Sequence, residues 1–111
     1  LSLHDALPIF PGTHGAADAA AYGVRVAGCT VHFVDEIMDH GPVIIQAAVP
    51  VLDSDNEASL AARVLRQEHQ VYPQAVRWFV EDRLTLTDTG RVQVRGEASG
   101  PAGWTVPPVE L

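Results

Sequence analysis

Two apolar runs flanking a short acidic stretch constrain this chain most. Residues 25–34 (RVAGCTVHFV) and 42–49 (PVIIQAAV) lie on either side of residues 35–41 (DEIMDHG). The first reads as a strand in which Thr30 and His32 share one face and Val31 and Phe33 point to the other. The second is a nearly continuous apolar run, with Pro42 tolerated at its first position and Pro50 closing it. Such a run suits a strand covered on both faces, as in layered α/β folds, so an α/β class is expected.

Downstream, Asp53, Ser54 and Asp55 offer helix caps, and Glu57 adds favourable first-turn charge. From Ala58 onward, Leu60, Val64, Val71, Ala75, Val76, Phe79 and Val80 keep a helical spacing. Pro73 falls inside this run and predicts a kink or a division into two helices. Residues 83–95 alternate around Asp88-Thr89-Gly90, which predicts a β-hairpin. Upstream, Pro11 and Gly12 mark a turn, and Thr13 can cap a short alanine-rich helix over residues 14–22 that Gly23 ends. Residues 96–111, with three prolines, are expected to be an irregular, exposed tail.

Composition narrows the chemistry. The chain has 111 residues, enough for one modest domain, and its formal charge is −7. A basic stripe is absent, which argues against nucleic-acid binding. All seven basic residues are arginine, so neither a Schiff-base lysine nor a P-loop lysine is possible within this chain. Cys29 is the sole cysteine, leaving no disulfide framework and no cysteine-based zinc site, and a metal site is not expected. With no membrane-length apolar run and no visible signal peptide, a cytoplasmic protein is expected.

Polar groups gather at Thr13-His14 and from His32 to Gly41. In open α/β sheets ligands collect at strand ends and in the loops beyond them. A carboxylate near His32 would favour its imidazolium and suit proton movement near neutral pH. The alternative is a hydrogen-bonded structural histidine beside solvated Asp35 and Glu36. His4, His40 and His69 rank below His32.

Four blocks carry a resemblance: PGTHGAADAAAYGV, GCTVHFVDE, MDHGPVIIQAAVPV and RQEHQVYPQAVRWFVEDRL. In this order, over residues 10–84, they resemble the C-terminal half of the glycinamide ribonucleotide formyltransferase family. The resemblance implies the C-terminal part of a Rossmann-like open sheet. It also implies transfer of a formyl group from 10-formyltetrahydrofolate to the amine of glycinamide ribonucleotide. The family's essential aspartate falls on Asp39, where it would raise the pKa of the active-site histidine. Asp35, Glu36, Ile37, Met38 and Asp39 correspond to the loop that cradles the folate. Leu65, Arg66, Gln67 and Glu68 correspond to the stretch lining the ribonucleotide, with Glu68 its contact. His14 and His32 match two further active-site histidines.

The chain departs from the family in front of Phe10. There the family carries Asn-x-His, and the aligned positions are Leu1 and Leu3, with His4 one residue out of register. Residues 1–9 (LSLHDALPI) also resemble one reading frame of a common sequencing adapter. They are expected to be non-native, leaving residues 10–95 as the formyltransferase part. The upstream half of the family's domain has no counterpart in this sequence. An exposed sheet face or edge is therefore expected, and no turnover by this chain alone. Formyltetrahydrofolate deformylase shares the Asp-x-Gly-Pro loop and is the rival reading. A non-catalytic folate-binding remnant is the other. Methionyl-tRNA formyltransferase would call for a basic surface.

Overall fold

A computed structural model describes residues 1–4, 20–34, 41–97 and 104–110. Its main sheet contains β1 (Ser2–His4), β2 (Val26–His32), β3 (Val43–Pro50) and β6 (Thr105–Val106), in the order β1-β2-β3-β6. Every neighbouring pair in it is antiparallel. The helix α1 (Glu57–Val80) packs across β2 and β3, and β4 (Leu84–Leu86) and β5 (Val92–Val94) form a separate hairpin.

The β2–β3 register explains the core. Ala27 pairs with Val49, Cys29 with Ala47 and Val31 with Ile45, so six apolar side chains line one face. All six are buried, with Cys29, Val31, Ile45 and Ala47 fully so. Against them α1 sets Leu60, Val64, Val71, Ala75 and Trp78, a stripe at helical spacing. The opposite face of β2 carries Thr30 and His32, as the alternation predicts, and both are buried. Gln46 reaches across this face to donate from Nε2 to Thr30 Oγ1 at 3.0 Å.

The start of α1 differs in detail from expectation. Its N-cap is Asn56, whose side chain accepts from the Ser59 amide at 2.9 Å while Ser59 Oγ accepts from the Asn56 amide at 3.0 Å. The two bonds form a reciprocal capping box. Asp55 instead braces the preceding turn, accepting from the Leu52 amide at 2.7 Å and pairing bidentately with Arg63. The Arg63 guanidinium, helped by the Leu52 amide, holds the Asp55 carboxyl well below the usual carboxylate range.

Two expectations are narrowed: of the kink or division expected at Pro73 the division does not occur, and the tail is only partly irregular. The helix runs unbroken through Pro73, because buried Val71, Gln74, Ala75 and Trp78 hold both sides of the proline against the sheet. The tail is not wholly irregular, since β6 pairs Val106 with Gln46 and Thr105 with Ala47. Beyond it, the Glu110 amide donates to Gln74 Oε1 at 2.6 Å, and Glu110 pairs with Arg83 at 2.9 Å. The Glu110 carboxylate also accepts from Trp78 Nε1 at 3.4 Å, stitching the chain end to the C-terminal turns of α1.

Other elements follow their sequence signals. In the hairpin Leu86 faces Val92, and Gly90 adopts φ +77 at the turn. Residues 20–22 are helical and end at Gly23 with φ +83, where a left-handed residue was expected. The remainder of the expected helix lies outside the described residues. Ser2–His4 is a short edge strand pairing Leu3 with Val31. The expectation was an exposed sheet face or edge: β2 is buried on both faces from Ala27 to His32, whereas β1 and β6 are the outer strands of the order and Val106 of β6 is exposed. Exposed apolar side chains also sit on α1, at Phe79 and Val80, and beside the strand ends, at Val34.

Candidate functional site

The described part of the site has two walls, both anchored on β2. The first is the neck of the acidic loop. The Phe33 amide donates to the Pro42 carbonyl at 2.9 Å, closing the chain just before residues 35–40 and just after them. The ladder slips by one residue between Val31 and His32, so His32 pairs with Val43. This bulge re-aims the strand end that delivers the loop. Gly41 is buried in the neck, and a Cβ there would fall on the Phe33 carbonyl oxygen and 3.3 Å from His32 Nδ1. Only glycine fits this close approach.

His32 is tied into the same neck. Its Nδ1 lies 2.8 Å from the Phe33 carbonyl oxygen. A carbonyl only accepts, so Nδ1 carries a proton and Nε2 is the acceptor position of the neutral ring. The strand therefore fixes both the orientation and the tautomer of this histidine.

The second wall is a mostly apolar groove of about 360 Å³, lined by Leu3, Leu65, Glu68, His69, Tyr72 and Pro73. Five of these residues come from α1 at spacings of three, four, seven and eight from Leu65, the signature of a single helical face. Leu3 comes from β1 and closes the other side. Glu68 is 8% exposed, and among the described residues no side chain is ion-paired with it. A carboxylate half-enclosed by apolar walls is a strong acceptor for a ligand's hydroxyl or N–H groups.

Of the residues singled out in the sequence, Leu65 and Glu68 meet in this groove. Gln67 and Arg66 do not line it. Arg66 is exposed, and Gln67 turns toward the interior, where its Oε1 is buried without a hydrogen-bond partner among the described residues. His32 sits at the loop neck. His14, Asp35, Glu36, Ile37, Met38 and Asp39 lie outside the described residues. The sequence reading missed His69, Tyr72 and Pro73, although their spacing from Leu65 could have identified them. The described residues contain no group of three or more metal-ligating side chains, and no described helix is long and apolar enough to cross a membrane.

Comparison with known proteins gives this geometry a family. The sequence family described as formyl transferase matches residues 1–76. A phosphoribosylglycinamide formyltransferase of Mycobacterium tuberculosis is 46% identical over 97 residues, covering 86% of this chain and 44% of the relative. The crystal structure of phosphoribosylglycinamide formyltransferase from Anaplasma phagocytophilum superposes with a TM-score of 0.83 at 45% identity, covering 87% of this chain and 48% of that one. A formyltetrahydrofolate deformylase from Pseudomonas syringae is more distant, with a TM-score of 0.78 at 31% identity over 84% of this chain and 31% of that one. The chain thus spans about half the length of the curated transferases it matches. The match over most of the chain, together with the common fold, establishes that this protein belongs to the formyl transferase family.

Proposed function

We propose that the chain is the carboxy-terminal half of a phosphoribosylglycinamide formyltransferase. In that enzyme the amine of glycinamide ribonucleotide takes a formyl group from 10-formyltetrahydrofolate, in purine biosynthesis. The observation that carries this reading is Glu68: a buried carboxylate in a groove, at the position the resemblance gives to the ribonucleotide contact. The identity to named transferases, higher than to the deformylase, supports the same choice.

The chemistry assigns roles to the remaining residues. Attack of the amine on the formyl carbon generates a tetrahedral oxyanion that needs a positioned donor. A proton must leave the attacking nitrogen and reach the departing folate nitrogen. Asp39 would hold an imidazolium ready for both tasks, while Asp35, Glu36, Ile37 and Met38 would bind the folate pteridine through the loop. His14 and His32 support the site. Leu65, Arg66 and Gln67 flank Glu68 on the ribonucleotide side. The reading calls for no metal, for small-molecule substrates with no nucleic acid or membrane, and for a cytoplasmic setting.

Counted back from Phe10, Leu3 falls at the position the resemblance gives to the active-site histidine, and it lines the same groove as Glu68. We therefore infer that residues 1–9 replace the native segment, as a translated adapter would. Genomic DNA encoding Asn-x-His-Pro ahead of Phe10 supports this, and a native Leu-Ser-Leu-His codon series contradicts it. The function itself is tested by Asp39→Asn in the full-length enzyme. The reading expects kcat to fall by at least about 100-fold with folate binding retained, in keeping with the loss of acid–base catalysis. Unchanged kcat contradicts it. Release of tetrahydrofolate that needs no ribonucleotide favours the deformylase.

A further inference from the structure

The helix α1 carries a second apolar stripe beside the one that packs on the sheet. Tyr72, Val76, Phe79 and Val80 follow Leu65 by 7, 11, 14 and 15 residues, which places all five on one helix face. All five are exposed, Val80 by 76%. The stripe lies on the flank of α1 that faces β1, because Leu65 and Tyr72 line the groove together with Leu3 of that strand. The opposite flank is tied down already: Arg63 donates to the Pro50 carbonyl, and Gln74 and Trp78 bond to Glu110 beyond β6. A helix with apolar residues on two sides is suited to packing against two neighbours, and the sheet is one of them.

We infer that this stripe is the seat of the upstream half of the domain, which lays an apolar helix face along it. β1 is the outer strand on this side of the sheet, so strands added beyond it would extend the sheet past α1. In a Rossmann-like sheet the connections between strands cross the faces as helices, and one on the face that holds α1 would lie against Tyr72, Val76, Phe79 and Val80. This chain matches 44% of the Mycobacterium tuberculosis relative, so more than half of that protein is left to supply such a helix. The stripe also borders both walls of the site. Leu65 and Tyr72 belong to the groove, and Phe79 packs edge-on against Phe33 of the loop neck, with ring centroids 6.3 Å apart. A helix seated there closes the open side of the groove, so the surface that joins the halves also completes the site. A second copy of the chain is the rival occupant, but it would occlude the groove beside Glu68. The inference rests on reading the chain as the carboxy-terminal half of a transferase, and adds the surface on which the other half docks.

Thiol labelling of the full-length enzyme tests it. Val80→Cys puts a small reactive side chain on the stripe, and Leu86→Cys puts one on the exposed hairpin, which belongs to the other sheet. Maleimide labelling, resolved by peptide mass spectrometry, compares the two. The expected result is that Val80→Cys labels at least about 10-fold more slowly than Leu86→Cys in the folded enzyme, with the difference lost in urea. The protection should persist when the enzyme is diluted to the monomer. Equal labelling rates overturn the inference. Protection that disappears on dilution also overturns it, because the stripe then belongs to a second copy. If Val80→Cys does not fold, Val76→Cys carries the same comparison. Formyl transfer assayed on the same preparation separates this inference from the proposed function. Transfer to the ribonucleotide with fast labelling overturns the docking surface and leaves the function standing. Protection without transfer supports the docking surface and contradicts the transferase reading.

Discussion

Gly41 lies against Phe33 so closely that a single methyl group would overlap the Phe33 carbonyl oxygen, the atom that also accepts from His32 Nδ1. One glycine thus governs both the Phe33–Pro42 closure and the orientation of His32. Gly41→Ala must push the two strand ends apart at the Phe33–Pro42 hydrogen bond. The expected cost is about 1–3 kcal/mol of stability, the usual range for overpacking. A displacement of about 1 Å in the loop should lower kcat roughly 100-fold. Thermal melting and steady-state rates on the full-length enzyme check both.

Acid stability should report on Asp55. Its carboxyl is held below its ordinary value, first by the hydrogen bonds from Arg63 and then by the Leu52 amide. A depressed folded-state pKa stabilises the fold while the group is ionised in both states. That contribution is lost as pH falls below about 4, where the unfolded carboxyl takes up protons first. The melting temperature of the wild type should therefore decline steeply below that pH. Asp55→Asn should melt lower at neutral pH and show a shallower acid decline, measurable by calorimetry across a pH series.

The chain end should behave as part of the fold. Glu110 joins Arg83, Trp78 and, through its amide, Gln74, and the Arg83 guanidinium holds its carboxyl below the ordinary range. Glu110→Ala leaves the Trp78 indole N–H and the Arg83 guanidinium without this acceptor. A lower melting temperature is expected, whereas Glu97→Ala, at an exposed residue with no such ties among the described residues, should change it little. Comparing the two variants by circular dichroism separates a specific tie from a general loss of charge.

Much of this architecture was legible in the sequence because its signals are local or periodic. Alternation announced β2, spacing from Leu60 to Val80 announced α1, and Asp88-Thr89-Gly90 announced the hairpin. What escaped is set by distant partners. Ser2–His4 and Thr105–Val106 are strands only because β2 and β3 offer them edges, and such short segments carry no period of their own. The helix crosses Pro73 because its buried face outweighs one missing hydrogen bond, which no local propensity could reveal. The groove likewise depends on β1 meeting α1. The family resemblance pointed to Glu68, but only the fold gives it Leu3, His69 and Tyr72 as neighbours.

Glu68→Gln preserves shape and removes charge. If Glu68 accepts from the ribonucleotide, its KM should rise about 10-fold to 100-fold, as for loss of a charge-assisted hydrogen bond. The KM for the folate should be unchanged. Parallel saturation curves for the two substrates distinguish a ribonucleotide contact from a general structural fault, which would alter both.

The central claim is that this family member delivers its formyl group to an amine and not to water. The direct measurement follows a carbon-13 label in the formyl group of 10-formyltetrahydrofolate by NMR, using the full-length enzyme with glycinamide ribonucleotide present. The account predicts that the label leaves the folate only when the ribonucleotide is added, and that it appears in a formamide on that substrate. Label accumulating as free formate, at the same rate with or without the ribonucleotide, would contradict it.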